Sequence, residues 1–189
     1  MIEILPNWHP IFVHFTVALL TVAVALYLLV RMLPAIGVRQ ELAIVARWSL
    51  WIGAVLAVAT AVAGWLAYNS VAHDDISHAA MTEHRNWALV TVALFIILAL
   101  WSGARWWKQH PSEGGTGIFF LMILAVGGVL LASTAWHGAE LVYRYGLGVM
   151  ALPKVEVEET AHGHAQQNPD TSLPVPPPVH DHSTHKHTH

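Results

Sequence analysis

The sequence predicts an all-α, integral membrane four-helix up-and-down bundle, built from a duplicated helical hairpin and followed by a disordered His/Pro-rich C-terminal tail. Three observations lead to this prediction. The 189-residue chain is 55% hydrophobic and only 11% charged, whereas soluble domains carry about 25% charged residues. Four long stretches contain no Asp, Glu, Lys or Arg. The nine tryptophans lie near the ends of those stretches.

The uncharged stretches cover residues 15–30, 49–68, 86–104 and 117–136. Each is close to the ~20 apolar residues that cross ~30 Å of hydrocarbon. With their flanks they predict transmembrane helices over roughly 10–33, 44–68, 84–106 and 116–142. The tryptophans support these spans, because they form the two interfacial belts typical of membrane proteins. One belt is Trp8, Trp65, Trp87 and Trp136; the other is Trp48, Trp51, Trp101, Trp106 and Trp107.

Breaks between the helices are marked by composition. Pro34 and Gly37 end the first helix, since proline cannot continue a helix and glycine favours turns. The polar loop 69–84 is expected to end in a short interfacial helix that leads into the third span. Gly146 or Gly148 is expected to end the fourth helix. These boundaries predict a transmembrane domain over 1–150 and a tail over 151–189.

The orientation of the bundle follows from its basic residues. The 31–47 and 105–115 loops carry five of them, namely Arg31, Arg39, Arg47, Arg105 and Lys108. The opposite side has only Arg85 and Arg144 near the membrane. Basic loops stay in the cytoplasm, so we expect a bacterial inner-membrane protein with both termini in the periplasm. The N-terminus has no basic segment and no cleavage site follows, which predicts that the first helix is retained.

An internal repeat is suggested by the helices themselves. A shift of 70 residues places His14 on His84 and aligns 14–23 with 84–93, while a shift of 71 places Trp65 on Trp136. Both copies start on the same side, which predicts a pseudo-two-fold axis along the membrane normal.

The histidines indicate a cofactor site on the predicted outer face. His9, His14, His73, His78, His84 and His137 fall there, and His110 falls on the inner side. First and third helices are diagonal in such a bundle, and bundles build cofactor sites from facing helices. We therefore predict that His14 and His84 ligate a b-type haem through their imidazoles, with His137 as a substitute ligand. His9 is a further candidate, although it also suits a helix cap.

Three other interpretations of these histidines stay open. They can be interfacial residues bonded to water or loops. His14, His84 and His137 can bind Cu or Zn directly, because imidazole suits both metals. Histidine and glutamate near the membrane surface can also bind a quinone head group.

The tail is a second candidate metal site, because His-rich tracts bind metals by composition. It holds seven of the fourteen histidines, namely His162, His164, His180, His182, His185, His187 and His189. Capture of Cu, Zn or Ni is one prediction, and a pH-sensitive tail is the other. The chain has no cysteine, which excludes disulfides and thiolate chemistry. It contains no phosphate loop, dinucleotide fingerprint or HExxH motif, so we predict no independent catalytic activity.

Three segments carry a resemblance to a known family: "HPIFVHFTVALL" from His9, "EHRNWALV" (83–90) and "GAELVYRYGLGV" (138–149). Together they resemble the bacterial membrane-protein family called domain of unknown function 2231. Its members open with His-Pro-x3-His-Phe and close with a Gly-x2-Val-Tyr-x3-Gly-like stretch, which residues 138–146 fit loosely. The resemblance covers about residues 7–150 and leaves out the tail.

The resemblance implies a four-helix membrane domain, and it carries over His9, His14 and His84. Some members are joined to Rieske iron–sulfur domains, which favours a role in redox chemistry. The leading hypothesis is electron transfer by a periplasm-facing haem b, with the lipid bilayer and a periplasmic or quinone redox partner as partners and no nucleic acid. The alternatives are a membrane-anchored metal-binding protein and a non-catalytic membrane subunit that docks other proteins.

Overall fold

The computed structural model describes residues 7–34, 37–71, 74–108 and 117–149. These residues form four helices: α1 (His9–Met32), α2 (Gly37–Ser70), α3 (Asp75–Lys108) and α4 (Ile118–Tyr143). All four are long and apolar enough to cross a membrane. The predicted all-α architecture is confirmed, and the described ranges contain no strand.

The helices form a ring in which each packs against its two neighbours. α1 packs on α2, α2 on α3, α3 on α4 and α4 on α1, while the described parts of α1 and α3, and of α2 and α4, do not pack backbone to backbone. α1 and α3 are therefore diagonal, as predicted. The end that carries His9, His14, His84 and His137 is called the histidine end below. The opposite end, with Arg31, Arg39, Arg47 and Arg105, is called the arginine end.

Local chemistry sets the helix boundaries. Leu33 is extended, with ψ 144°, because the following Pro34 disfavours the helical conformation. α3 starts at Asp75, so the latter part of the 69–84 segment is helical and leads into the third span as predicted, but it is continuous with α3, whose predicted start at residue 84 is nine residues too late. Asp74 and Ser77 bond each other's backbone N–H at 3.0 and 2.8 Å, which is a reciprocal cap for that start. α4 ends before Gly146 and Gly148, which have positive φ.

The buried residues repeat between the two hairpins. Residues of α1 correspond to residues 75 positions later in α3, as Thr16 does to Thr91. Residues of α2 correspond to residues 74 positions later in α4. The buried pairs are Leu20/Phe95, Ala23/Leu98, Tyr27/Ser102, Ala46/Phe120, Leu50/Leu124, Gly53/Gly127 and Ala57/Leu131. The hairpins thus repeat as predicted, but the register of 70 and 71 residues is wrong.

The outer surface of the bundle is apolar. Val55, Leu100 and Val129 are 71%, 69% and 67% exposed, respectively, and they lie within the uncharged stretches of their helices. Monomeric soluble proteins rarely expose apolar surface on this scale. Lipid chains provide the environment for these side chains, and the helices satisfy their own backbone groups there.

Two glycines allow the helices of each hairpin to pack closely. A Cβ on Gly53 would lie 2.7 Å from Leu20 Cδ2, and a Cβ on Gly127 would lie 3.3 Å from Phe95 Cζ. Leu20 and Phe95 are fully buried, so neither has free space to move into.

Replacing Gly53 by leucine is therefore expected to destabilise the bundle by about 1–3 kcal/mol, the usual cost of overpacking. Gly103→Leu is the matched control, because a Cβ there would meet only Trp51 Cζ2 at 4.0 Å. Reversible unfolding in mixed detergent micelles measures both variants. Equal loss of stability in the two would contradict the packing described here.

Candidate functional site

His9 is held between the first two helices. Its Nδ1 lies 3.0 Å from the carbonyl oxygen of Thr60 in α2 and donates to it. The ring also lies against Gly64, where a Cβ would come 2.9 Å from His9 Cε1. Helix side chains lean towards the N-terminus, so the first residue of α1 reaches over the last turns of the antiparallel α2. The backbone of α2 thereby fixes both the position and the tautomer of this imidazole.

A threonine pair lies in the same hairpin, further from the histidine end than His9. The Thr16 hydroxyl lies 2.7 Å from that of Thr60, and the Thr60 hydroxyl donates to the Leu56 carbonyl at 2.8 Å. Because the Thr60 proton is used on its own helix, Thr16 is the donor between the helices. The same residue, Thr60, therefore binds Thr16 through its side chain and His9 through its backbone.

The second hairpin repeats this arrangement with His84. Thr91 and Thr134 are joined at 2.8 Å. Thr91 donates to the Trp87 carbonyl at 2.9 Å, so Thr134 is the donor between the helices, the reverse of the direction in the first hairpin. A Cβ on Gly138 would lie 3.1 Å from His84 Cε1. Thus His9, Thr16, Thr60 and Gly64 have their counterparts in His84, Thr91, Thr134 and Gly138.

The second copy is looser than the first. His84 interacts with the Thr134 carbonyl, but its Nδ1 is buried and makes no well-formed hydrogen bond within the described residues. His84 also lies close enough to His9 and His137 for electrostatic interaction. The structure therefore places His9 and His84 at the same end of the bundle, on diagonal helices. Within the described ranges, no hydrogen bond engages Nε2 of either residue.

His137 lies beside this pair with both ring nitrogens engaged. Nδ1 donates to the Ser133 carbonyl at 2.7 Å, and Nε2 lies 3.4 Å from Glu83 Oε1. The ring stacks on Trp87 with centroids 5.5 Å apart. These contacts leave His137 without a free nitrogen, which argues against its predicted role as a substitute ligand.

His14 lies apart from the other site histidines. Its side chain is exposed, and Nδ1 bonds the Pro10 carbonyl of its own helix. The face behind it, with Ala18, Thr21 and Ala25, is also exposed. The structure relates His84 to His9, so the expected pairing of His14 with His84 across the bundle is corrected.

The direct metal site receives no support from the placement of its residues. Among the described residues, no three His, Asp or Glu side chains come together closely enough to hold a metal ion. His78, on the first turns of α3, bonds Tyr68 at 3.1 Å. The other predicted metal ligands lie outside the described residues: His162, His164, His180, His182, His185, His187 and His189.

Sequence analysis missed Thr16 and Thr60 altogether. The signal was present, because a shift of 75 residues aligns "TVALL" (16–20) with "TVALF" (91–95) and places His9 on His84. The shift of 70 residues, which places His14 on His84, was supported mainly by Ala and Leu identities, and such identities are common between any two apolar helices.

Four membrane-length helices with a histidine pair at one end define an integral membrane four-helix bundle. The chain belongs to the family described as "Predicted membrane protein (DUF2231)", which matches residues 6–151. No curated protein and no solved structure matches the chain significantly.

The threonine pairs can be tested by a double-mutant cycle. Thr16→Val and Thr60→Val are each expected to destabilise the bundle, and their coupling energy should be near the ~0.6 kcal/mol average for hydrogen bonds between membrane helices, with ~1.7 as an upper value. Unfolding in mixed micelles measures the cycle. Additive effects would show that the two hydroxyls do not interact.

Proposed function

We propose that this inner-membrane protein binds a b-type haem between His9 and His84 on its periplasmic side and passes electrons to a periplasmic or quinone partner. The observation that carries the proposal is the repeated arrangement of histidine, threonine pair and glycine on diagonal helices at one end. A pseudo-symmetric pair of imidazoles is what bis-histidine ligation requires.

The bonding of His9 suits an axial ligand. Metal-bound histidines almost always donate the second ring N–H to a carbonyl or carboxylate, which fixes the ring and raises its basicity. His9 has this bond to Thr60, and its Nε2 stays available. His84 interacts with the equivalent carbonyl of Thr134. When bound, haem iron supplies one-electron redox chemistry, while these residues supply ligation and orientation.

Residues around the pair also fit this group. Gly64 and Gly138 let the rings lie directly on the helix backbones. Arg85 follows His84, and its guanidinium lies over the Tyr68 ring at 5.0 Å, so a cation next to His84 in the chain would be able to pair with a carboxylate of the haem. The pairing of His137 with Glu83 is consistent with a polar margin beside an apolar site.

The proposed orientation of the bundle in the membrane is based on the basic residues of the arginine end. The loops and helix ends there carry more basic residues than the histidine end near the membrane, and basic segments stay cytoplasmic. The histidine end is then periplasmic, where a periplasmic or quinone partner can approach it.

Absorption spectroscopy tests the haem directly. Protein purified in detergent after expression with ample haem is expected to show a low-spin spectrum with a sharp α band on reduction. His9→Ala and His84→Ala should each abolish that spectrum, because each removes one axial ligand.

His14→Ala is the matched control and should retain the full spectrum, since His14 is exposed and bonded within its own helix. A wild-type protein without a Soret band would defeat the proposal. If His14→Ala loses the low-spin spectrum and His9→Ala keeps it, then His14 is the haem ligand and the assignment to His9 is wrong.

Membrane topology can be tested with introduced cysteines, because the chain has none of its own. Asn69→Cys, at the histidine end, is expected to react with a membrane-impermeant maleimide in intact cells. Lys108→Cys, at the arginine end, should react only after the membrane is permeabilised. The reverse pattern would place the histidine end in the cytoplasm.

A further inference from the structure

A groove runs along the membrane face between α2 and α3, near the arginine end. It has a volume of about 630 Å³, and its walls are formed by apolar and tryptophan side chains. Residues that line it include Trp51, Ala54, Val58, Ile96, Gly103 and Trp107. Gly103 keeps it open, because a Cβ there would meet only Trp51 Cζ2 at 4.0 Å. The long apolar shape fits a hydrocarbon chain.

The arginine end of the groove has two donors without acceptors. The Arg47 guanidinium lies 5.5 Å from the ring centroid of Trp51 and 5.6 Å from that of Trp106. Its Nε and the Trp51 Nε1 are buried, and neither has a hydrogen-bond partner within the described residues. Stacking on indole uses the faces of the guanidinium and leaves its edge free to bind. Unpaired donors of this kind call for a ligand rich in oxygen acceptors.

A second cation lies at the same end. Arg47 lies against two tryptophans of the groove, whereas the Arg105 guanidinium lies at the start of α4, where a Cβ on Gly117 would come 3.6 Å from its Nη1. Within the described ranges, neither forms an ion pair with a carboxylate. The two residues also flank the uncharged stretches 49–68 and 86–104, which places them at the depth of the lipid phosphates on that side.

We propose that this groove binds one anionic phospholipid, with an acyl chain between α2 and α3 and the phosphate held by Arg47 and the Trp51 indole N–H. Charge complementarity selects an anionic headgroup over a zwitterionic one, and guanidinium edges match phosphate oxygens. The site is independent of the histidine end, so it stands whether or not haem is bound there.

Native mass spectrometry of the full chain tests the site, with phosphatidylglycerol and phosphatidylcholine of identical acyl chains as the probes. The wild type is expected to bind phosphatidylglycerol at least about fivefold more tightly, the effect of one basic residue near a lipid surface. Arg47→Gln should lower phosphatidylglycerol binding about fivefold. Gly103→Leu should weaken both lipids, because its side chain fills the groove.

Arg31→Gln is the matched control, since it removes one charge from the arginine end outside the groove and should leave binding unchanged. Gly103→Leu tests the site alone if Arg47→Gln does not fold. Equal binding of the two lipids, an equal loss in Arg31→Gln, or full binding by Gly103→Leu would each overturn the proposal. Displacement of the lipid by inorganic phosphate at the same concentration would also overturn it, because the headgroup alone would then account for binding.

Discussion

The threonine–threonine hydrogen bond buried inside each hairpin is the contact on which the site geometry depends. In hydrocarbon no water competes for a hydroxyl, so each polar side chain has to find its partner within the protein. The Thr16–Thr60 and Thr91–Thr134 bonds, at 2.7 and 2.8 Å, fix how each helix is rotated against its neighbour. That rotation brings a histidine ring onto a backbone carbonyl and a glycine. The site is therefore a consequence of helix packing.

The two ends of the bundle differ in how their polar side chains are hydrogen-bonded. At the histidine end, backbone carbonyls accept from the imidazoles of His9 and His137, and only His84 keeps a buried Nδ1 without a hydrogen bond among the described residues. At the arginine end, Arg47 is surrounded by indole rings and keeps unsatisfied donors. Between the ends, Leu20, Leu50, Phe95 and Leu124 form an apolar core with almost no exposure. The apolar core thus separates the proposed haem ligands at one end from the proposed phospholipid site at the other.

Hydropathy predicted the four spans because an uncharged stretch of this length has few alternatives to a membrane helix. It could not predict the start of α3, since the first turns of that helix are polar and are set by the Asp74–Ser77 cap. The partner of His84 was predicted wrongly for a different reason. Buried positions of α1 recur as Thr16, Leu20, Ala23 and Tyr27, and two residues correspond to about 200° around a helix. His14 therefore points away from the core, while His9, two heptads before Ala23, points towards it. Helix phase, rather than residue identity, decides which histidine enters the bundle.

The two hairpins differ in the hydrogen bonding of their histidines, His9 and His84. His9 already makes its hydrogen bond to Thr60, so its ring is oriented before any ligand arrives. His84 lacks a well-formed equivalent, and its buried Nδ1 carries the energetic cost of an unpaired polar group. A small rotation of the His84 ring that completes the bond to Thr134 would remove that cost and at the same time fix the direction of Nε2. If a haem binds as proposed, its binding would be coupled to hydrogen-bond formation at His84 but not at His9. Under the haem proposal, the first hairpin would hold its ligand in a fixed orientation, and the second would adjust when the group binds.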